Sequence, residues 1–178
     1  MRPIFIVGYM ASGKTTFGRA LARRADLCHI DLDFYIEQRF HTTIKDLFAS
    51  RGEAEFRRIE ASMLREVGEM EDVVVSCGGG TPCFNDNMEY MNAHGLTVCL
   101  KAANDIIADR VMLAGDRRPL MAGKSREEVL ATIRSHMAVR SPYYDMARIA
   151  ISGDRLETRG QIAETVENFL KNHTCDLD

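Results

Sequence analysis

One octapeptide constrains this chain more than any other feature. Gly8-Tyr9-Met10-Ala11-Ser12-Gly13-Lys14-Thr15 fits the pattern GxxxxGK[ST] at every fixed position. The pattern carries physical meaning where a strand runs into the loop and a helix leaves it. Both flanks meet that condition. Residues 3–7 are a short β-branched and aromatic run that reads as a buried strand, ended by Gly8. A helix is expected from near Gly13, with Phe17, Ala20 and Leu21 on its inner face. Such a loop aims several backbone N–H groups and a helix N-terminus at one point, which suits a nucleotide polyphosphate. Gly8 and Gly13 allow the dihedrals and the close approach. Lys14 brings a cation to the β- and γ-phosphates, and the Thr15 hydroxyl suits Mg²⁺. A GxGxxG dinucleotide loop is absent, and so is an NKxD guanine signature.

The remaining chain alternates between the two regular structures. Strands are expected over residues 27–32, 73–75, 96–100 and 148–151. Helical spacing marks residues 53–67, 105–113, a stretch with Leu130, Ile133 and Met137, and a closing stretch with Ile162, Val166, Phe169 and Leu170. Phe84, Met88 and Met91 suggest another helix, and residues 34–51 two short helical pieces broken near His41-Thr42-Thr43. The all-Val run at 73–75 suits an interior parallel strand, apolar on both faces. This order argues for an α/β fold, a parallel sheet with helices on both faces. The helical section near 33–58 has no strand and reads as an insertion beside the sheet.

At 178 residues the chain is one domain. Its net charge of −3 gives no reason to expect nucleic acid or an anionic membrane as partner. The five cysteines are odd in number and lack CxxC spacing, so reduced thiols in a cytoplasmic protein are expected. No signal peptide or membrane span is legible.

Several residues beyond the phosphate loop invite chemistry. Asp31 and Asp33 are read as the end of the second strand, where i and i+2 face one side. Ligands of open parallel sheets bind beyond the carboxyl ends of the strands, so both carboxylates would face the phosphate loop's crevice. One could help hold Mg²⁺ through water and the other accept a hydroxyl proton; the alternative is a pair of helix-start aspartates. Arg57 or Arg58 could fork onto a carboxylate, or sit on the surface paired with residues such as Glu60. Gly78-Gly79-Gly80 after the Val strand would let a ligand approach the backbone, or is a plain loop. Arg118, in the polar stretch 114–125, could close over a nucleotide. Arg140-Ser141-Pro142-Tyr143-Tyr144 ends a helix, where an arginine also suits the helix dipole.

Taken in order, these pieces resemble the shikimate kinase family across almost the whole chain. The matching motifs are the loop from Gly8 to Thr16, Asp31-Leu32-Asp33, Phe56-Arg57-Arg58-Ile59-Glu60, the Val run ending in Ser76-Cys77-Gly78-Gly79-Gly80, Arg118-Pro119-Leu120, and Arg140-Ser141-Pro142-Tyr143-Tyr144. The resemblance implies a single P-loop kinase domain over residues 1–178: a three-layer αβα fold with a five-stranded parallel sheet, a substrate-binding region near 33–61 and a lid near 112–125. It implies ATP-dependent phosphorylation of the shikimate 3-hydroxyl, a step of chorismate biosynthesis, with Mg²⁺. Catalytic roles would fall to Lys14, Asp33 and Arg118. Shikimate would be held by Asp33, Arg57, Gly78, Gly79, Gly80 and Arg140. ATP would be held by Ala11, Ser12, Gly13, Lys14, Thr15, Thr16, Arg110, Arg118 and Arg155. Mg²⁺ would be held by Thr15, and through water by Asp31 and Ser76. A monomer is expected. Two departures stand out: Ala11 replaces the usual Gly, and the late adenine loop, 151–158, lacks its Pro. The rival expectations are another hydroxy-acid kinase, such as a gluconate kinase, and a non-catalytic nucleotide-binding regulatory module.

Overall fold

The computed structural model describes residues 1–114 and 123–173. Five strands form one parallel sheet: β1 (Ile4–Val7), β2 (Cys28–Asp31), β3 (Val73–Ser76), β4 (Leu96–Lys101) and β5 (Ile149–Ser152), in the order β2-β3-β1-β4-β5. The registers Ile4↔Val74 and Ile4↔Leu96 place β1 at the centre, with β3 an interior strand beside it.

Alternation along the strands builds two cores. Phe5, Val7, Val73 and Val75 face one layer, which packs on α2 (Leu32–Phe40), α3 (Ile44–Gly68), α4 (Asn87–His94), α5 (Asn104–Ala114) and α6 (Arg126–Tyr144). Ile4, Ile6, Val74 and Val98 face the other layer, with Phe17, Leu21, Val166 and Phe169 from α1 (Lys14–Ala25) and α7 (Arg159–Asn172). This is the expected three-layer αβα arrangement. Burial of these apolar faces is what drives the layers together.

Helix ends follow local chemistry. Ser125 and Thr158 form capping boxes with Glu128 and Gln161 at the starts of α6 and α7. Thr43 caps α3 after the break at His41, where the backbone turns left-handed. Within α3, Gly52 leaves the helical region at φ 77 and divides the element into two runs.

Two local expectations need correction. Asp33 lies in the first turn of α2, not on a strand, because the Asp31 carboxylate caps that helix by accepting from Phe34 N at 3.4 Å. Phe84 is not part of the helix with Met88 and Met91; it follows a 3-10 turn at Thr81–Cys83, with its backbone extended. The proposed lid falls largely on residues 115–122, so Arg118 with its neighbours Pro119 and Leu120 lies outside the described residues. Among the described residues, no helix is long and apolar enough to cross a membrane.

Candidate active site

The carboxyl ends of β1, β2 and β3 open onto a cavity of about 670 Å³. It lies where order reverses about β1, the usual ligand position in such sheets. Its walls include Lys14, Thr15, Asp31, Asp33, Arg57 and Arg140.

The phosphate loop forms one end. Gly8 sits at φ 137, and a Cβ there would lie 2.5 Å from the Leu100 carbonyl oxygen. Lys14 Nζ donates to the Tyr9 carbonyl at 2.8 Å, which folds the cation back across the loop. Thr15 Oγ1 donates to Asp31 Oδ2 at 2.9 Å, so the loop and the carboxylate that caps α2 meet directly. Ala11 holds a left-handed φ of 60, the reason glycine would suit that position better.

Beyond β3, three successive glycines each abut a different functional side chain. A Cβ on Gly78 would fall 2.8 Å from Asp33 Oδ1, one on Gly79 3.7 Å from Arg140 Nη1, and one on Gly80 2.7 Å from Arg57 Nη2. The glycine run is therefore a matter of space: it lets one carboxylate and two guanidinium groups converge. Tyr144 fixes the same strip by donating its hydroxyl to the Gly79 carbonyl at 2.6 Å.

Electrostatics follow from this crowding. Burial pushes the Asp33 carboxyl up to about 6, and the charges of Asp31 and Glu60 push the same way. Lys14 opposes them. Cys77, beside the glycines, is buried, its thiol is pushed upward, and its sulfur lies 3.7 Å from that of Met91. It packs and does not serve as a nucleophile.

Glu60 is not a surface partner of the arginines. It is 1% exposed, accepts from Thr81 Oγ1 at 2.6 Å and binds Arg57 Nη1 at 2.8 Å. Buried carboxylates of this kind orient a guanidinium as well as neutralise it. Arg58 points outward and pairs with Glu55 at 3.0 Å. The i,i+3 spacing of Arg57 and Glu60 was the available signal; only the tertiary fold shows the pair to be buried.

Arg110 reaches the cavity and donates to the carbonyls of Ala11 (3.1 Å), Gly153 (2.8 Å) and Asp154 (3.1 Å), with Glu157 beside it. It ties the phosphate loop to the segment after β5. Gly13 and Thr16 also line the cavity. Three expected residues stand differently. Arg155 lines a separate cleft and pairs with Glu164 at 3.7 Å. Ser12 is fully buried and its N–H donates to the Tyr9 carbonyl at 3.2 Å, so it braces the loop from within. Ser76 is 2% exposed, and its hydroxyl is engaged with Lys14 O at 3.3 Å and His29 Nε2 at 3.0 Å. It supports the loop from beneath and does not face the cavity.

The chain is similar to known proteins along almost its whole length. A family model described as shikimate kinase matches residues 10–171. A shikimate kinase from Bacteroides fragilis is 49% identical over 168 residues, covering 94% of this chain and 94% of that protein. The crystal structure of a shikimate kinase from Bacteroides thetaiotaomicron superposes with a TM-score of 0.94 at 45% identity, over 97% of this chain and 98% of the other. A shikimate kinase from Acinetobacter baumannii in complex with shikimate gives 0.84 at 28% identity, over 98% of this chain and 94% of the other.

Proposed function

The chain belongs to the shikimate kinase family, and we infer that the cavity transfers the γ-phosphoryl group of ATP to the 3-hydroxyl of shikimate. The protein is an ATP-dependent kinase of the pathway to aromatic amino acids. The observation that carries the residue assignment is the glycine strip, along which Asp33, Arg140 and Arg57 converge in the cavity that also holds Lys14 and Thr15. That arrangement supports a cationic end for a small carboxylate and a phosphate end for the nucleotide, with an acid–base group in the same crevice.

Arg57 and Arg140 grip the shikimate carboxylate with planar donor forks, which lysine cannot reproduce. Glu60 holds Arg57 in orientation. Gly78, Gly79 and Gly80 let the ring lie against the backbone. Asp33 accepts a hydrogen bond from the 3-hydroxyl, aims that oxygen at the γ-phosphorus and takes its proton as the bond to phosphorus forms. Positioning dominates because phosphoryl transfer has a loose transition state. Lys14 leaves the Tyr9 carbonyl for the β- and γ-phosphates. Loop N–H groups of residues 11 and 13–16 hold the same phosphates, and Arg118 closes over them. Arg110 borders the nucleotide.

The donor set suits Mg²⁺. Thr15 and Asp31 offer hard oxygens 2.9 Å apart. Among the described residues no cluster of three or more acidic, His or Cys side chains could cage a metal, and Mg²⁺ prefers few protein ligands alongside phosphate and water. Thr15 would hold the ion directly and Asp31 through water; once bound, it neutralises charge on the β- and γ-phosphates. A monomeric, cytoplasmic enzyme completes the proposal; the free thiols at Cys28, Cys77, Cys83 and Cys99 support the reducing compartment.

Arg140→Lys tests the carboxylate assignment. It is expected to raise the shikimate KM at least about tenfold, the loss of one charged fork. An unchanged constant removes Arg140 from the substrate site.

A further inference from the structure

Phe84 packs its ring against a cation. The Arg57 guanidinium carbon lies 4.1 Å from the Phe84 ring centroid, closer than to Phe56 at 5.3 Å or Phe48 at 5.7 Å. Phe84 is 37% exposed, so the core does not account for its position. The next residue holds the other end of Arg57: Asn85 Nδ2 donates to the Arg57 carbonyl at 2.8 Å.

The turn that carries Phe84 is built to stay in place. Asn85 and Asp86 both sit at φ 52, a left-handed conformation that Asn and Asp tolerate better than other side chains. Arg65 donates to the Asn85 carbonyl and to Asn87 Oδ1, each at 3.1 Å. Asn87 is fully buried and donates to the Thr81 carbonyl at 2.9 Å. This network links the turn to α3, the helix that bears Arg57, and to the end of the glycine strip.

A ring over the guanidinium face leaves the in-plane N–H groups for hydrogen bonding. Glu60 takes one edge at 2.8 Å, and the exposed Glu53 reaches the other at only 3.4 Å. A substrate carboxylate must approach in that same plane, where Glu53 can yield. Resting on the assignment of Arg57 to the shikimate carboxylate, we propose that Phe84, on the turn pinned by Asn85 and Arg65, is a positioning residue that sets the plane of the Arg57 guanidinium for substrate. Phe84 acts through Arg57 and does not touch the reacting atoms.

Steady-state ADP release by the full chain tests this. The wild type comes first: absence of shikimate-dependent turnover overturns the functional assignment itself, whatever Phe84 does. Phe84→Leu keeps apolar volume and removes the π face. It is expected to raise the shikimate KM about fivefold to tenfold and move the ATP KM less than about twofold. Phe84→Tyr keeps the face and is expected to stay within about twofold of wild type in both constants. Asn85→Ala loosens the turn and leaves the ring intact; it should raise the shikimate KM selectively. The proposal is overturned if Phe84→Leu keeps the wild-type shikimate KM, or raises both constants together. It is also overturned if Phe84→Tyr behaves like Phe84→Leu, or if Asn85→Ala changes nothing.

Discussion

At Asp33, burial holds the carboxyl at about 6, against an ordinary value of 3.8. Two predictions follow with definite signs. The base must be ionised to take a proton, so kcat/KM for shikimate should fall as pH drops through about 6. A flat profile down to pH 5 would contradict the base assignment. Stability runs the other way. A carboxyl whose folded pKa lies above its unfolded value binds more protons folded than unfolded between pH 4 and 6, so its ionisation destabilises the fold as pH rises through that window. Asp33→Asn should therefore lower the rate at least roughly 30-fold, about 2 kcal/mol of transition-state stabilisation. The same variant should gain about 1–2 kcal/mol in folding stability at pH 7, a gain that fades towards pH 4. Wild-type turnover would remove Asp33 from the chemistry, and lower stability at pH 7 would contradict the burial argument. Asp31 and Asp33 were legible as a pair facing the loop, but for the wrong geometric reason: a helix cap and first turn bring them together, not strand alternation. Phe84 carried no such signal, because its partner Arg57 is 27 positions away and the two meet only through the turn after the glycines.

The elements were legible where apolar runs were short and sharply ended. The Val run followed by three glycines, and the strand ended by Gly8, read correctly as β3 and β1 because burial on both faces leaves no other pattern. Helix α3 was also divided correctly, since Gly52 interrupts it. That glycine makes a discriminating prediction. In a regular helix Gly→Ala stabilises by about 0.4–1 kcal/mol. Gly52 has φ 77 with nothing within 4 Å of a built Cβ, so the penalty is conformational and not steric. Gly52→Ala should destabilise by about 1 kcal/mol, read as a lower denaturant midpoint. A higher midpoint would mean that the two runs of α3 can join as one straight helix. The kink matters to the site: Phe48 before it and Phe56, Arg57 and Glu60 after it line the same cavity.

For the molecule as a whole, the β2-β3-β1-β4-β5 order was not legible in the sequence, because pairing between distant strands is settled by tertiary packing. Yet that order decides function: it sets the phosphate loop after β1 beside the glycine strip after β3 and the carboxylates after β2. The central claim is that this junction serves one reaction on one small carboxylate. It is tested most directly by ADP release with Mg·ATP alone, with shikimate, and with gluconate as the competing hydroxy acid. The account predicts a rate that depends on shikimate and is at least about 100-fold above that with gluconate or without acceptor, the discrimination expected when a site's buried polar groups need their matching partners. Equal rates in all three conditions, or a preference for gluconate, would contradict it.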